Sequence, residues 1–111
     1  MKIHLIRERA TKEQLAEMLE ELQSYIKLAV DIERGILAGG GEWRADCEEV
    51  LLADGSLQEN VWGADWIPAT KEVTFESLIN IRPRQNNFSM EIEDEKLRNE
   101  IEKIVREIFG I

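Results

Sequence analysis

The stretch "TKEQLAEMLEELQSYIKLAVDIERGILAGGG", Thr11 to Gly41, decides the fold, because it is the longest segment with a regular apolar period. Leu15, Met18, Leu19, Leu22, Tyr25, Ile26, Ala29, Ile32 and Ile36 recur at steps of three and four, with Glu17, Glu20, Glu21 and Lys27 mostly off that stripe. The spacing predicts one long helix running to Leu37. Thr11 followed by Gln14 fits a reciprocal capping box at its start. Gly39, Gly40 and Gly41 predict its end, since glycine accepts the left-handed conformation that closes many helices. They follow the predicted helix and lead into Trp43 with no Lys-Ser or Lys-Thr pair, so they do not read as a phosphate-binding loop.

On the N-terminal side, "KIHLIRE", Lys2 to Glu8, reads as a short buried strand. On the C-terminal side, Asp54-Gly55 within "WRADCEEVLLADGSLQENVWGADW" predicts a two-residue hairpin turn. In that register Leu52 faces Leu57 and Val50 faces Glu59, both faces are mixed, and the core face stays open. "EVTFESLINIR" places Val73, Phe75, Ile79 and Ile81 on one side of a strand, and Thr74, Glu76, Asn80 and Arg82 on the other with Leu78. Asp94 is the expected N-cap of a closing helix whose stripe is Leu97, Ile101, Ile104, Val105 and Ile108, with Gly110 as its stop. The expected architecture is a single α+β domain over residues 1–111, in two layers. Its antiparallel-rich sheet has about four strands, in the order strand, long helix, hairpin, strand, helix, and both helices cover one face. The other face, with Asn80 and Arg82, is left open to solvent, a ligand or a second copy of the chain.

Composition narrows the function classes. A chain of 111 residues supports one modest core, and 43% hydrophobic with 33% charged residues is the balance of an ordered globular protein. No apolar run reaches the length that spans a bilayer, and "MKIHLIRERA" breaks into charge too early for a secretory signal, so a cytoplasmic location with no membrane partner is expected. The formal charge of −9 repels a phosphate backbone, which disfavours duplex DNA as a partner. Cys47 is the single cysteine, so an internal disulfide and a thiolate metal cluster are excluded. Its acidic neighbours disfavour a thiolate, and it reads as a packed strand residue. His4 is the single histidine, which rules out a two-histidine zinc site and reads as structural or solvent-facing.

The polar candidates concentrate in "SLINIRPRQNNFSMEIED". Arg82 and Arg84 straddle Pro83, which stiffens the backbone between two guanidinium forks suited to carboxylate or phosphate oxygens; Asn80, Gln85 and Asn87 add neutral donors and acceptors. That is the candidate anion site. The bland alternative is that Arg82 pairs with Glu76, Glu49 or another sheet carboxylate and that Asn86-Asn87 only forms a turn. Asp46 and Glu49 are the candidate catalytic carboxylates, and with Glu48 and Glu59 they could offer oxygens to Mg²⁺ or Ca²⁺; alternation in the predicted hairpin limits such a site to three ligands. Solvated edge charges are the alternative reading. Trp43, Trp62 and Trp66 bracket the hairpin and suit either the core or a dimer interface.

The segments "ADCEEVLLADGSLQENVWGADW" and "SLINIRPRQNNFS" resemble a small prokaryotic family of uncharacterised proteins of about this length, a domain of unknown function. The resemblance covers nearly the whole chain and is most specific at Ala45-Asp46, Asp54-Gly55-Ser56, Trp62-Gly63 and Asn80-Ile81-Arg82-Pro83. Relatives often carry His where Arg44 stands, Gly at Asn86 and Arg at Phe88. The resemblance implies a shape and candidate positions, and no reaction. Two functional classes follow. One is a small binding or interaction protein, self-associating as a homo-oligomer, a dimer above all, with room for a small anionic ligand. The other is a small hydrolase or transferase in which Arg82 and Arg84 hold an anionic or phosphorylated substrate and Asp46 or Glu49 supplies a base or metal ligand. A toxin-antitoxin or RNA-processing role is a third.

Overall fold

The computed structural model describes residues 3–111. Among them five strands, β1 (Ile3–Ile6), β2 (Ile26–Asp31), β3 (Ile36–Gly40), β4 (Val61–Ile67) and β5 (Glu72–Thr74), form one sheet in the order β1-β3-β2-β4-β5. Every neighbouring pair is antiparallel. Helices α1 (Lys12–Met18), α2 (Arg44–Ala53) and α3 (Glu95–Phe109) complete an α+β fold, with single 3₁₀ turns at Gln58–Asn60, Leu78–Asn80 and Pro83–Gln85.

The predicted long helix is the largest correction. Its capping box is real: the Thr11 hydroxyl accepts from the Gln14 N–H at 3.1 Å, and the Gln14 side-chain Oε1 accepts from the Thr11 N–H at 2.9 Å. The helix nevertheless ends at Met18, the chain turns through Gln23 at φ 63°, and the remainder becomes β2 and β3 joined through Gly35 at φ 65°. The physical reason is burial on both sides of the sheet. Nearly every side chain of β2 and β3 is inside, so neither strand alternates between apolar and polar residues. Continuous apolar runs also satisfy a three-four spacing by default, and periodicity cannot separate the two readings. Lys2, the first residue of the predicted N-terminal strand, lies outside the described residues.

The predicted hairpin is the second correction: Arg44 to Ala53 is α2, and Asp54-Gly55 ends it, with Gly55 at φ 104°. Cys47, Val50 and Leu51 stand at helical spacing, which is why a two-residue register mixed both of its faces. Cys47 is packed, as expected, but on a helix instead of a strand. The predicted strand from Glu72 to Arg82 survives as Glu72–Thr74, followed by isolated bridges between Glu76 and Glu91 and between Arg82 and Asn87. The closing helix matches its prediction. Asp94 caps the Lys96 N–H at 2.9 Å and Gly110 closes the other end at φ 73°.

These changes give three layers where two are predicted. On one side Ile26, Leu28, Val30, Trp62, Ala64 and Trp66 pack against Met18 of α1 and Ile101, Val105, Ile108 and Phe109 of α3. On the other, Ala29, Ala38 and Val61 pack against Cys47 and Leu51 of α2, so the face expected to be open is covered. Small residues make that second contact close: Ala29 is in register with both Ala38 and Gly63, so a row of minimal side chains lies beneath α2. Full burial of Leu51 in this layer contributes about 2 kcal/mol.

Gly63 is a steric necessity in that row. A Cβ at this position would stand 2.6 Å from the Ser77 Cβ and 3.0 Å from the Ile79 Cγ1. Gly63→Ala is therefore expected to lower unfolding free energy by about 2 kcal/mol through overpacking, read as a lower urea midpoint at unchanged slope.

Candidate functional site

The site is built around an interruption in the sheet. β5 pairs with β4 only as far as Thr74 opposite Asp65. Beyond that point the chain leaves the ladder, and the backbone groups of Gly63 and Val61 need other partners. Side chains provide them. Asn80 Oδ1 accepts from the Gly63 N–H at 2.8 Å while its Nδ2 donates to the Gly63 carbonyl at 3.0 Å, the two-bond pattern of a neighbouring strand. Two residues on, Arg82 Nη2 donates to the Val61 carbonyl. Asn80 and Arg82 thus stand in for a missing strand along the edge of β4.

Each predicted anion ligand except Arg84 is committed to the chain itself. Asn80 is fully buried and its Nδ2 also reaches the carbonyls of Phe75 and Met90 at 3.0 and 3.3 Å. Asn87 donates to the carbonyls of Asn80, Ser89 and Glu91 and accepts from the Glu93 N–H, which holds the loop in shape. A guanidinium has five N–H groups, and those of Arg82 have five acceptors: the carbonyls of Ile79, Gln58 and Val61, Gln85 Oε1, and Glu48 Oε2 at 3.4 Å. The group also stacks on Trp62, 4.5 Å from the ring centroid. Its carboxylate partner is Glu48, not Glu76 or Glu49. Asn86, at φ 60°, turns the chain after Pro83–Gln85 and leaves Arg84 exposed, with no hydrogen bond or ion pair among the described residues.

The predicted catalytic carboxylates, Asp46 and Glu49, both stand on α2, three residues apart. Asp46 is half-buried in the first turn of α2 and Glu49 is exposed. Among the described residues no three His, Cys, Asp or Glu side chains are placed to hold a metal. Burial, reinforced by the Asp46 carboxylate, pushes the Cys47 thiol up to about 12, so it carries no nucleophile at neutral pH. The carboxyl group at the groove is Glu48: burial raises it above its ordinary range despite the opposing pull of Arg82. Arg82 in turn is lowered by burial, with Glu48 acting in the other direction.

Between α2 and the segment after β5 lie three neighbouring hollows that share lining residues and together form a trough. The first, about 470 Å³, includes Tyr25, Glu76 and Glu91. It shares Arg44 and Met90 with the second, about 230 Å³, which adds Trp43 and Ser77. That hollow shares Leu78 and Ile79 with the third, about 590 Å³, where Glu48, Ile81 and Arg84 stand. The trough wall is anchored by Arg44, whose Nε and Nη2 grip the two Asp65 oxygens at 2.9 and 2.6 Å and tie the start of α2 to β4. Its rim is apolar and exposed: Trp43 is 60%, Leu78 70% and Ile81 44% accessible. Trp62 and Trp66 are in the core, so Trp43 alone of the three tryptophans presents a surface. Leu78 is the residue that sequence reasoning did not select, and Glu48 stands there among the candidate metal ligands and not as the partner of Arg82. The available signal was Leu78, an apolar residue on the otherwise polar side of the predicted strand.

The family described as "Protein of unknown function (DUF5674)" matches residues 4–108. Comparison with curated proteins and with solved structures gives no match.

The Asn80 carboxamide generates a pH-dependent prediction. In Asn80→Asp an oxygen replaces Nδ2 and faces the carbonyls of Gly63, Phe75 and Met90, so the introduced carboxyl group has a folded-state pKa raised above its unfolded value of about 3.9. Stability is then retained below that value, where the neutral acid can donate, and is lost as pH rises through the folded pKa. At neutral pH a loss of at least about 3 kcal/mol is expected from urea titrations, with partial recovery at the acid end that Asn80→Ala does not show.

Proposed function

We propose that this chain, which belongs to the DUF5674 family of proteins of unknown function, is a binding module whose contact surface is the trough between α2 and the segment after β5. Trp43 is the observation that carries this reading. It occupies the N-cap of α2 and makes no capping hydrogen bond. Ser, Thr, Asp or Asn at an N-cap stabilises a helix by roughly 1 kcal/mol relative to residues that cannot cap. Local stability thus argues against tryptophan here, and the ring is mostly exposed beside Leu78. Large exposed aromatic and aliphatic side chains lining a concave surface are the composition of a protein contact site. The polar groups nearby support binding over chemistry, because Asn80, Asn87 and Arg82 have their donors occupied and Arg84 is left as the handle for an anionic group.

A peptide library displayed on phage and selected against dilute protein tests this. Peptides with apolar anchors next to acidic residues are expected to be enriched, and their binding is expected to fall by more than about tenfold with Trp43→Ser. That same variant should unfold at equal or higher urea concentration, since serine can cap α2. No enrichment, or enrichment insensitive to Trp43, overturns the reading.

Glu48 favours a second reading, a hydrolase or transferase acting on an anionic substrate held at Arg84. A carboxyl group raised by burial at the edge of a groove is a candidate for acid-base work. Turnover in a screen of phosphorylated metabolites, abolished by Glu48→Gln, is its expected signature; a blank screen removes it.

A further inference from the structure

The trough is electrically bipolar, and its two ends match each other. At one end Glu76 and Glu91 are directly opposed in an antiparallel bridge, and both are exposed. Neither carboxylate has a hydrogen bond or ion pair among the described residues. Like charges directly opposite across a pair of strands are destabilising. Arg44 lines the same hollow but is committed to Asp65, so the acidic pair is one that an external cation would relieve. At the other end Arg84 is an exposed guanidinium without a carboxylate partner among the described residues, in a chain with 23 acidic and 14 basic side chains. Between the ends lie Trp43, Leu78 and Ile81. The linear order acidic pair, apolar centre, arginine follows from the shared lining residues of the three hollows.

We infer that the occupant of this surface is a second copy of the chain, docked antiparallel about a two-fold axis near Leu78, so that Arg84 of each protomer enters between Glu76 and Glu91 of its partner. A two-fold interface requires a patch complementary to itself under that rotation. A bipolar strip with an apolar middle meets the requirement: the apolar centres superpose and each charged end meets its opposite. A planar guanidinium can also serve two carboxylates at once, which a lysine ammonium does less well. A standard interface covers roughly 800 Å² per partner, about an eighth of the 6339 Å² surface, so the docked copies must also meet outside the three hollows. The inference rests on the trough being a binding surface and adds the identity of the partner.

The test uses charge reversal with the full-length chain. Sedimentation velocity over the micromolar range is expected to show a concentration-dependent dimer for the parent and a monomer for Leu78→Asp, a change at an exposed position that leaves the core intact. Arg84→Glu alone places three carboxylates together at each end of the interface, and Glu76→Arg with Glu91→Arg places three cations together. Each contact occurs twice by symmetry, so each variant alone should dimerise at least about tenfold more weakly than the parent. Mixed together, the two variants should form a one-to-one heterodimer in native mass spectrometry, because every like-charge contact becomes an opposite-charge one. A parent that stays monomeric, or charge-reversed chains that self-associate as the parent does, overturns the inference. Because peptide selection is carried out on dilute monomer, a monomeric parent that still binds Trp43-dependent peptides refutes the second copy while leaving the binding surface in place.

Discussion

The carboxamide of Asn80, bonded to both backbone groups of Gly63, is the constraint on which the functional half of the molecule depends. A sheet edge buried in protein must have its N–H and C=O groups satisfied, and the usual means is another strand. Here one amide supplies a donor and an acceptor in the space of a single side chain. The chain after β5 is thereby freed from the ladder. It can fold into two 3₁₀ turns that carry Leu78, Ile81 and Arg84 outward while Asn80 and Arg82 point inward. Gly63 is the other half of the arrangement: its lack of a side chain admits Ser77 and Ile79 close to β4. The trough exists because a turn-forming segment, and not a flat strand, lies beside α2.

Arginines do most of the tying in an acidic chain, and their placement explains why so many basic groups cluster near one loop. Arg44 clamps Asp65 in a bidentate pair, Arg82 joins Glu48 while crossing three backbone carbonyls, and Arg34 with Arg7 converges on Asp54, holding that carboxyl group below its ordinary range. Each joins elements distant in sequence. The Arg82 pair is nearly enclosed, with side chains 9% and 13% exposed, and burial at this level is tolerable because the guanidinium is fully hydrogen-bonded and stacked on Trp62. Two guanidiniums flanking a proline read in sequence as a matched pair for an anion. In the fold they are opposites: one faces the interior and is saturated, the other faces outward with no partner among the described residues.

Local signals that depend on a few neighbouring residues were legible. Thr11 with Gln14 names the start of α1, and Asp94, Gly110 and the stripe from Leu97 to Ile108 name both ends of α3, through capping bonds that span at most four residues. The α+β class was legible as well. The partition of residues 11–41 was not, because β2 and β3 are covered on both faces and lose the alternation that marks a strand. Nor was α2, where Asp54-Gly55 terminates a helix as readily as it turns a hairpin, since both uses need the same positive φ at glycine. Of the site, the segment was legible and the roles were not: Asn80, Arg82 and Asn87 were recognised as a polar constellation, but whether polar atoms face a ligand or a backbone depends on which strand edge lies opposite.

By itself, the sequence determined the mixed architecture, the capped start of the first helix and both ends of the last, the absence of an internal disulfide and the polar character of the Asn80 to Asn87 loop. These follow from residue chemistry and short-range spacing, which a linear chain displays directly. Only the tertiary structure decided that a second helix covers the other sheet face, that Asn80 and Arg82 complete an interrupted sheet, and that Trp43, Leu78 and Arg84 remain on the surface. Those outcomes depend on hydrogen-bond partners 17 to 34 residues away, such as Gly63 for Asn80 and Glu48 for Arg82, and no local pattern encodes which distant group will satisfy a given donor.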